Sequence, residues 1–275
     1  MIVAGFSPIG PQMGVSSGIV AIGAWLHFAL KSNVLVIQTD FTSCLEEPLL
    51  GAKRKKQVGF FEVKGMDEVI RLERSGFSIE GGMERAIMTL FSDGNQLDLL
   101  PSTTKQNESL YEEELIEWLP KIIEKYEQQY DYILIDVGWK QKALWETLQT
   151  VYHKGIIFLP QNRWILERME EKNWNEKDRV VIAPYHSQSF LNYTNFKLCY
   201  PTIGQMLIGM IPFQTQYMDH WSKGNAMEYL SLQSEKKREG NYTFWEQIEK
   251  IGKKIERELQ VVRKKSEVVP DRIFN

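Results

Sequence analysis

The most constraining feature of the sequence is a series of short, continuous apolar segments that alternate with helical patterns. The first segment, Ile2 to Phe6, is followed by a Gly/Pro/Ser-containing loop from Ser7 to Ser17 and by an apolar helix from about Gly18 to Lys31. Continuous apolar strands are typical of parallel sheets that helices cover on both faces. The other segments of this kind are Val34–Ile37, Leu97–Leu100, Tyr132–Ile135, Gly155–Leu159, Val180–Ile182 and Met206–Ile211. The alternation predicts an α/β fold with a doubly wound, mostly parallel sheet.

Two longer patterns predict helices and help to set the domain boundary. Between Glu112 and Tyr130, apolar residues recur on one helical face. A second pattern, from about Tyr242 to Arg263, has an apolar face and a largely basic opposite face. No Pro/Gly/Ser-rich linker divides the 275 residues, so we expect a single α/β domain over residues 1–263. Residues 264–275 are predicted to form a poorly ordered tail.

Composition argues against several classes of protein. The formal net charge is −3, which gives no overall bias toward nucleic acid or an anionic membrane. Cys44 and Cys199 lack metal-ligand spacing and are expected to stay reduced. No basic segment of a signal peptide precedes the first strand, and the longest apolar segment, Gly18 to Leu30, is shorter than the ~20 residues that span a bilayer. We therefore expect a cytoplasmic protein.

The loop after the first strand carries part of a phosphate-binding motif. In the motif G-x-x-x-x-G-K-[ST], backbone N–H groups and a helix N-terminus surround the phosphates, the lysine neutralises them and the hydroxyl binds Mg²⁺. Alignment on Ser16 places Gly14 at the second glycine, Ile9 at the first glycine and Val15 at the lysine. The motif therefore keeps one glycine and the hydroxyl and lacks its cation.

Several segments, in matching order, resemble the ParA/MinD family of deviant P-loop ATPases. The family's loop reads G-K-G-G-x-G-K-T, and the corresponding stretch here, Ile9–Ser16, has Gly10 at the additional lysine position. Leu35–Asp40 resembles the family's D-x-D strand end, with Gln38 in place of the first aspartate. Three later segments also resemble the family: Leu97–Pro101 its L-x-L-L-P segment, Tyr130–Asp136 its Walker-B-type strand, and Ile211–Phe213 its I-P-x segment. The degenerate loop and the L-L-P pattern are most similar to the TadZ/CpaE branch, which is associated with localising Tad-type (Flp) pilus machinery.

The resemblance implies a site for ATP and Mg²⁺ and a homodimer. The implied nucleotide-binding residues are Gly10, Gly14, Ser16, Ser17, Asp40 and Asp136, with Ser16 and Asp136 nearest the metal. It does not imply catalytic residues, because glycine and valine at the two lysine positions cannot offset charge that develops on phosphoryl oxygens. Pro11 removes one backbone donor from the loop, and Val180–Pro184 lacks the asparagine that reads adenine in relatives.

Each implied site residue also has a purely structural explanation. Strand-end carboxylates such as Asp40 and Asp136 bond to nearby backbone in many proteins, and serines such as Ser16 and Ser17 cap helices in any α/β protein. The glycines could simply satisfy turn dihedral angles. Sequence alone leaves both explanations open.

Two basic features suggest partners and have simpler alternatives. The run Lys53–Lys56 could bind nucleic acid, but it is short and lacks interleaved aromatic residues, so a solvated loop is favoured. The C-terminal helix resembles the membrane-targeting helix of some relatives, although its glutamates favour a helix docked on the core.

Three functional hypotheses follow. The first is a non-enzymatic localisation or scaffold protein, dimeric, that contacts a secretion or pilus assembly or the inner face of the cell membrane. The second is an atypical active ATPase in which an arginine or lysine from elsewhere replaces the lost cations. The third is a DNA-partition or conjugation accessory protein that uses the Lys53–Lys56 loop.

Overall fold

One eight-stranded sheet organises the computed structural model, which describes residues 1–51, 65–76, 83–105, 107–235 and 243–267. Its strands are β1 (Ile2–Phe6), β2 (Val34–Gln38), β3 (Met88–Ser92), β4 (Gln96–Leu100), β5 (Tyr132–Asp136), β6 (Lys154–Leu159), β7 (Asp178–Tyr185) and β8 (Leu207–Pro212). Their spatial order is β3-β4-β2-β5-β1-β6-β7-β8. Every neighbouring pair is parallel except β3 with β4.

Helices cover both faces of this sheet. They are α1 (Val15–Leu30), α2 (Glu46–Leu50), α3 (Met66–Ser75), α4 (Met83–Ala86), α5 (Glu108–Tyr126), α6 (Lys142–Leu148), α7 (Arg163–Glu170), α8 (Tyr193–Cys199), α9 (Pro201–Met206), α10 (Thr215–Lys223), α11 (Ala226–Glu235) and α12 (Phe244–Glu267). Buried residues of α3 to α9 belong to one apolar cluster, and those of α1, α2, α10, α11 and α12 belong to the other. The predicted doubly wound α/β fold is therefore confirmed.

The strand predictions agree with the structure except at one edge. All seven predicted segments are strands, and the strand missed is β3, which pairs antiparallel with β4 across a turn that contains Gly94 at φ 97°. The predicted helix Glu112–Tyr130 is α5, whose bounds are Glu108–Tyr126. The side chains of β3 alternate only weakly between buried and exposed positions, so the sequence of this strand does not show a clear strand pattern.

Close packing of α1 fixes the loop that precedes it. A Cβ atom on Gly18 would lie 2.5 Å from the ring of Phe158 on β6, so only glycine permits this helix–strand distance. Residues Gly18 to His27 of α1 are all buried. The N-terminus of α1 is therefore held rigidly at the end of β1.

The terminal helix α12 is docked on the core along its apolar face. Phe244, Ile248, Ile251 and Leu259 are buried in the cluster that contains α1. Polar contacts also hold the helix: Glu258 pairs with Lys154 at 2.6 Å and with Arg179 at 2.7 Å, Glu256 accepts from the hydroxyl of Tyr132, and Lys254 donates to the Ile208 carbonyl at 2.8 Å. The apolar face that a membrane-targeting helix would expose is thus occupied by the sheet and by α1.

Some predictions concern segments that the structure does not describe. The Lys53–Lys56 run and residues 268–275 of the predicted tail lie outside the described residues, whereas α12 continues to Glu267. Within the described parts of the chain, no helix has both the length and the apolar character needed to cross a bilayer.

Candidate nucleotide site

The carboxyl ends of β2, β5 and β1 lie side by side on one edge of the sheet. Ile37 is paired with Ile135, and Gly5 is paired with Asp136. The chain leaves β1 toward β2 on one side and returns to β6 on the other, so β1 is beside the topological switch point where α/β proteins bind ligands.

The loop between β1 and α1 ends in a glycine that supports anion binding. Gly14 precedes α1 with φ 72° and ψ 18°, a left-handed conformation that glycine adopts without strain. Its carbonyl accepts the first helical bond, from the backbone N–H of Gly18 at 2.9 Å. Since glycine has no side chain to cap the helix, the first N–H groups of α1 remain available for an anionic ligand.

The two lysine positions differ in how they are filled. At Gly10, a Cβ atom would meet nothing within 4 Å, so a side chain has room there. Val15 is partly buried and packs against the apolar cluster that contains α1 and α12. An apolar contact therefore occupies the position from which the motif lysine reaches phosphate.

Asp136 is a buried carboxyl group at this edge of the sheet. Its side chain is only 2% exposed, and Oδ2 has no hydrogen-bond partner. Burial raises the pKa of Asp136 to about 7; the Ser16 side chain opposes this by hydrogen bonding, and the negative charge of Asp40 adds to it. The structure thus brings Ser16, Asp40 and Asp136 together, as the sequence suggested.

Asp40 has a local structural role as well as a place at the site. Its Oδ1 accepts hydrogen bonds from the backbone N–H of Thr42 at 2.8 Å and from the Thr42 hydroxyl at 2.9 Å. This Asx-type turn shapes the loop after β2. The carboxylate remains partly exposed and close enough to influence the ionisation of Asp136.

Ser17 and Gln38 are engaged in internal hydrogen bonds. The Ser17 hydroxyl donates to the Gly14 carbonyl at 3.4 Å. The buried Gln38 amide donates to the Ser43 hydroxyl at 2.9 Å and accepts from the Leu45 N–H at 3.3 Å. Gln38 therefore braces the loop after β2 where the family has an aspartate, and a ligand contact by Ser17 stays a prediction.

A hydrogen-bond network that the sequence did not suggest joins the loops after β2 and β5. The Thr39 hydroxyl donates to Oε1 of Gln141 at 2.6 Å, and Nε2 of Gln141 donates to the Thr39 carbonyl at 2.9 Å. The Gly138 N–H also donates to Oε1 of Gln141, at 2.9 Å. These bonds fix the spacing of the loops that carry Asp40 and Asp136. The sequence gives only a weak signal for them, namely that Thr39 and Gln141 both lie in loops that follow strands.

The possible metal ligands at this site suit Mg²⁺ better than a metal ion whose ligands all come from protein side chains. Mg²⁺ is commonly held by one or two carboxylates, with phosphate and water supplying the other ligands. The unpartnered Oδ2 of Asp136 and the Ser16 hydroxyl are donors of this type. Across the described ranges, no group of three or more His, Cys, Asp or Glu side chains is arranged to hold a metal ion. The site would therefore need a phosphate ligand to complete the metal's coordination.

A small cavity lies at the ends of β7 and β8. A Cβ atom on Gly14 would lie 3.2 Å from Cβ of Ala183 on β7, so loop and strand end touch. The cavity has a volume of about 190 Å³. Its lining residues are Tyr185, His186, Ser187, Gln188, Pro212, Phe213 and Gln247.

The sheet order and the position of the loop at the end of β1 define an α/β fold of the P-loop type. Solved structures with the same fold are ParA/MinD ATPases. A ParA family ATPase from Chlorobium tepidum matches with a TM-score of 0.65 and 13% identity over 94% of this chain and 98% of its own. The septum site-determining protein MinD from Pyrococcus horikoshii, complexed with Mg-ADP, has the same TM-score and identity over 95% and 98%. A putative plasmid partition protein from Borrelia burgdorferi, bound to AMPPNP, matches with a TM-score of 0.59 and 17% identity over 96% and 98%.

These likenesses establish the fold of the chain. No protein-family model matches the sequence, and no curated protein matches it. At 13 to 17% identity, the structural neighbours share the arrangement of strands and helices, whereas the chemistry of the site has to be argued from the residues of this chain.

Proposed function

We propose that this protein is a ParA/MinD-like localisation or scaffold protein whose site binds Mg-ATP without appreciable hydrolysis. The observation that carries the proposal is the combination of retained and lost groups at one site. Ser16 and the buried Asp136 lie together beside the uncapped start of α1, while Gly10 and Val15 occupy the lysine positions. Binding can use helix N–H groups and Mg²⁺, but charge stabilisation during phosphoryl transfer lacks its cations.

Calorimetric titration with ATP, with and without Mg²⁺, tests the binding half of this proposal. We expect Mg²⁺-dependent binding that Asp136→Ala abolishes. Phosphate release tests the other half: the wild-type protein should release phosphate no faster than Asp136→Ala. Steady release that disappears in the variant would refute the scaffold proposal, and the absence of any ATP binding would refute a nucleotide site.

An atypical ATPase is the second candidate function, and Lys140 favours it. This lysine follows Asp136 in the same loop, is half exposed and pairs with Glu108 at 3.6 Å. A modest rearrangement of that exposed pair could bring an ammonium group to bound phosphates. If the protein hydrolyses ATP, Lys140→Ala should remove the activity, whereas the nearby exposed Lys142→Ala should retain it.

We propose that the protein is a cytoplasmic homodimer that takes part in the assembly of a Tad-type pilus or secretion machine. Its support is the resemblance of the degenerate loop and of Leu97–Pro101 to the TadZ/CpaE branch. The structural neighbours include a MinC:MinD cell division complex from Aquifex aeolicus, and that assembly shows such a fold binding a protein partner. Binding of the purified protein to a Tad secretion ATPase, measured by pull-down, supports this setting. Genes of a plasmid partition locus beside its own gene would instead favour a DNA-partition role.

A further inference from the structure

We propose that a cavity at the amino edge of the sheet is a docking site for an arginine side chain of a partner protein. The cavity lies between α5, the start of β1 and the segment that precedes β6, at the edge opposite to the nucleotide site. Its volume is about 370 Å³, within the roughly 300 to 1,000 Å³ of small-molecule sites. The lining residues are Ile2, Pro120, Lys121, Ile123, Glu124, Glu127, Val151 and His153. A partner bound there would leave the nucleotide site free.

The charge of the cavity is the first argument. Glu124 and Glu127 are three residues apart on α5, so their carboxylates lie on one face of the helix. Glu124 is exposed, and its carboxylate has no ion-pair or hydrogen-bond partner within the described ranges. Glu127 lies 3.7 Å from the amino group of Met1, a contact that leaves its side chain 39% exposed. The cavity therefore has at least one carboxylate that a ligand can neutralise.

The two basic side chains of the lining do not supply the neutralising charge. The Lys121 ammonium lies 4.2 Å from the ring centroid of Trp118 and 3.8 Å from Glu117, and neither of these residues lines the cavity. Burial lowers the pKa of His153, so its ring is neutral near pH 7. Nδ1 of this ring accepts a hydrogen bond from the Ile2 N–H at 3.1 Å, which places the proton on Nε2. The cavity thus calls for a cation from outside.

The apolar part of the lining is the second argument, and it favours arginine over other cations. Pro120, Ile123 and Val151 line the cavity together with the two carboxylates. A guanidinium is weakly hydrated and can bridge two carboxylates through its five N–H donors, whereas an ammonium is a strongly hydrated point charge. Within the part of the chain that the structure describes, no group of three or more His, Cys, Asp or Glu side chains is arranged to bind a metal ion. The lining therefore suits an aliphatic stem that ends in a guanidinium.

Access to the cavity favours a side chain that belongs to a protein. Lys121 and Glu124 are both exposed, so the cavity opens to solvent beside them. An arginine side chain can therefore enter while the backbone that carries it stays outside. Ion pairs at exposed positions are individually weak, so the arginine would anchor a larger contact between the two proteins.

The test compares Glu124→Gln with the matched variant Glu113→Gln. Each substitution removes one exposed carboxylate from α5, but Glu113 lies outside the cavity. The probe is acetyl-glycyl-arginyl-glycinamide, and its citrulline analogue has nearly the same shape without the charge. Binding is measured by saturation-transfer NMR, which detects millimolar affinities. We expect the arginine peptide to bind the wild type and Glu113→Gln equally and to bind Glu124→Gln about three- to tenfold more weakly, and we expect no binding of the citrulline peptide.

Several results would overturn the proposal. They are no binding of the arginine peptide to the wild type, equal binding of the two peptides, and equal affinity of the arginine peptide for Glu124→Gln and Glu113→Gln. Displacement of the peptide by Mg-ATP would place it at the other edge of the sheet, and tighter binding of free butylguanidinium would assign the cavity to a small molecule; both contradict a docking site. Thermal unfolding is the control: both variants should unfold at the wild-type temperature, and a marked decrease in Glu124→Gln alone would indicate a structural carboxylate and overturn the proposal.

Discussion

Restoring the motif lysine with Val15→Lys should strengthen ATP binding by one to two orders of magnitude. The new ammonium would lie at the start of α1, beside the N–H groups of the loop and close to Ser16 and Asp136. A charge-assisted hydrogen bond contributes about 1.5 to 3 kcal/mol, and each 1.4 kcal/mol or so changes affinity tenfold.

The substitution also has two costs in the free protein. A cation at a helix N-terminus is disfavoured by about 0.3 to 1 kcal/mol, and Val15 loses part of its contact with the apolar cluster. The aliphatic stem of lysine can retain some of that contact. Both costs lower the stability of the free protein, and a bound triphosphate would reverse the first of them.

Isothermal titration calorimetry with Mg-ATP measures the effect, and Val15→Met is the matched control because it has a similar stem without charge. We expect tenfold to hundredfold tighter binding by Val15→Lys than by Val15→Met. If Val15→Lys remains folded by circular dichroism and binds ATP no better than Val15→Met, the cleft does not have the geometry of a phosphate site. Additional substitution of Gly10 by lysine should affect mainly turnover, and only in a face-to-face dimer.

Three further predictions concern the fold. Gly18→Ala should reduce the free energy of unfolding by about 1 to 3 kcal/mol in urea denaturation, because its Cβ would lie 2.5 Å from Phe158, whereas Gly10→Ala has open space and should be neutral; equal stabilities would contradict the packing argument. Burial raises the pKa of Asp178, so ionisation favours the unfolded state and the stabilising effect of protonation is lost as pH rises. The stability of Asp178→Asn relative to wild type should therefore increase from pH 4 upward, and a pH-independent difference in thermal unfolding would argue against it. The protein should not co-sediment with anionic vesicles, because the apolar face of α12 is buried. Co-sedimentation that requires this face would show that the helix undocks.

The strands show which parts of the fold are local properties of the sequence. β1, β2, β5 and β6 are continuous apolar runs because both of their faces are covered, and such runs can be read without any knowledge of their neighbours. The edge strand β3 was missed because it is only partly buried. A usable signal was nevertheless present, since Asp93-Gly94 between two short strand-like segments is typical of a hairpin.

The candidate site shows the same division between local and tertiary information. The proximity of Asp136, Asp40 and Ser16 followed from motif order and from the rule that ligands bind at the carboxyl ends of parallel strands. The hydrogen-bond network between Thr39 and Gln141 could not be predicted from the sequence, because the two residues are far apart in the chain and belong to no motif. The same holds for the cavity at the amino edge of the sheet, which forms only where α5 packs beside the start of β1.

The sequence by itself determined the class of fold, the order of the strands along the chain and the presence of Gly10 and Val15 at the two motif positions, because each depends on residue identity or on local periodicity. Only the tertiary structure decided between the two explanations for α12. An amphipathic helix has the same sequence pattern whether its apolar face meets lipid or a protein core. Burial of Ile248 and Ile251 against the sheet, with Glu258 paired to Lys154 and Arg179, places that face inside the protein. Such contacts join residues far apart in the chain, so they exist only once the chain has folded.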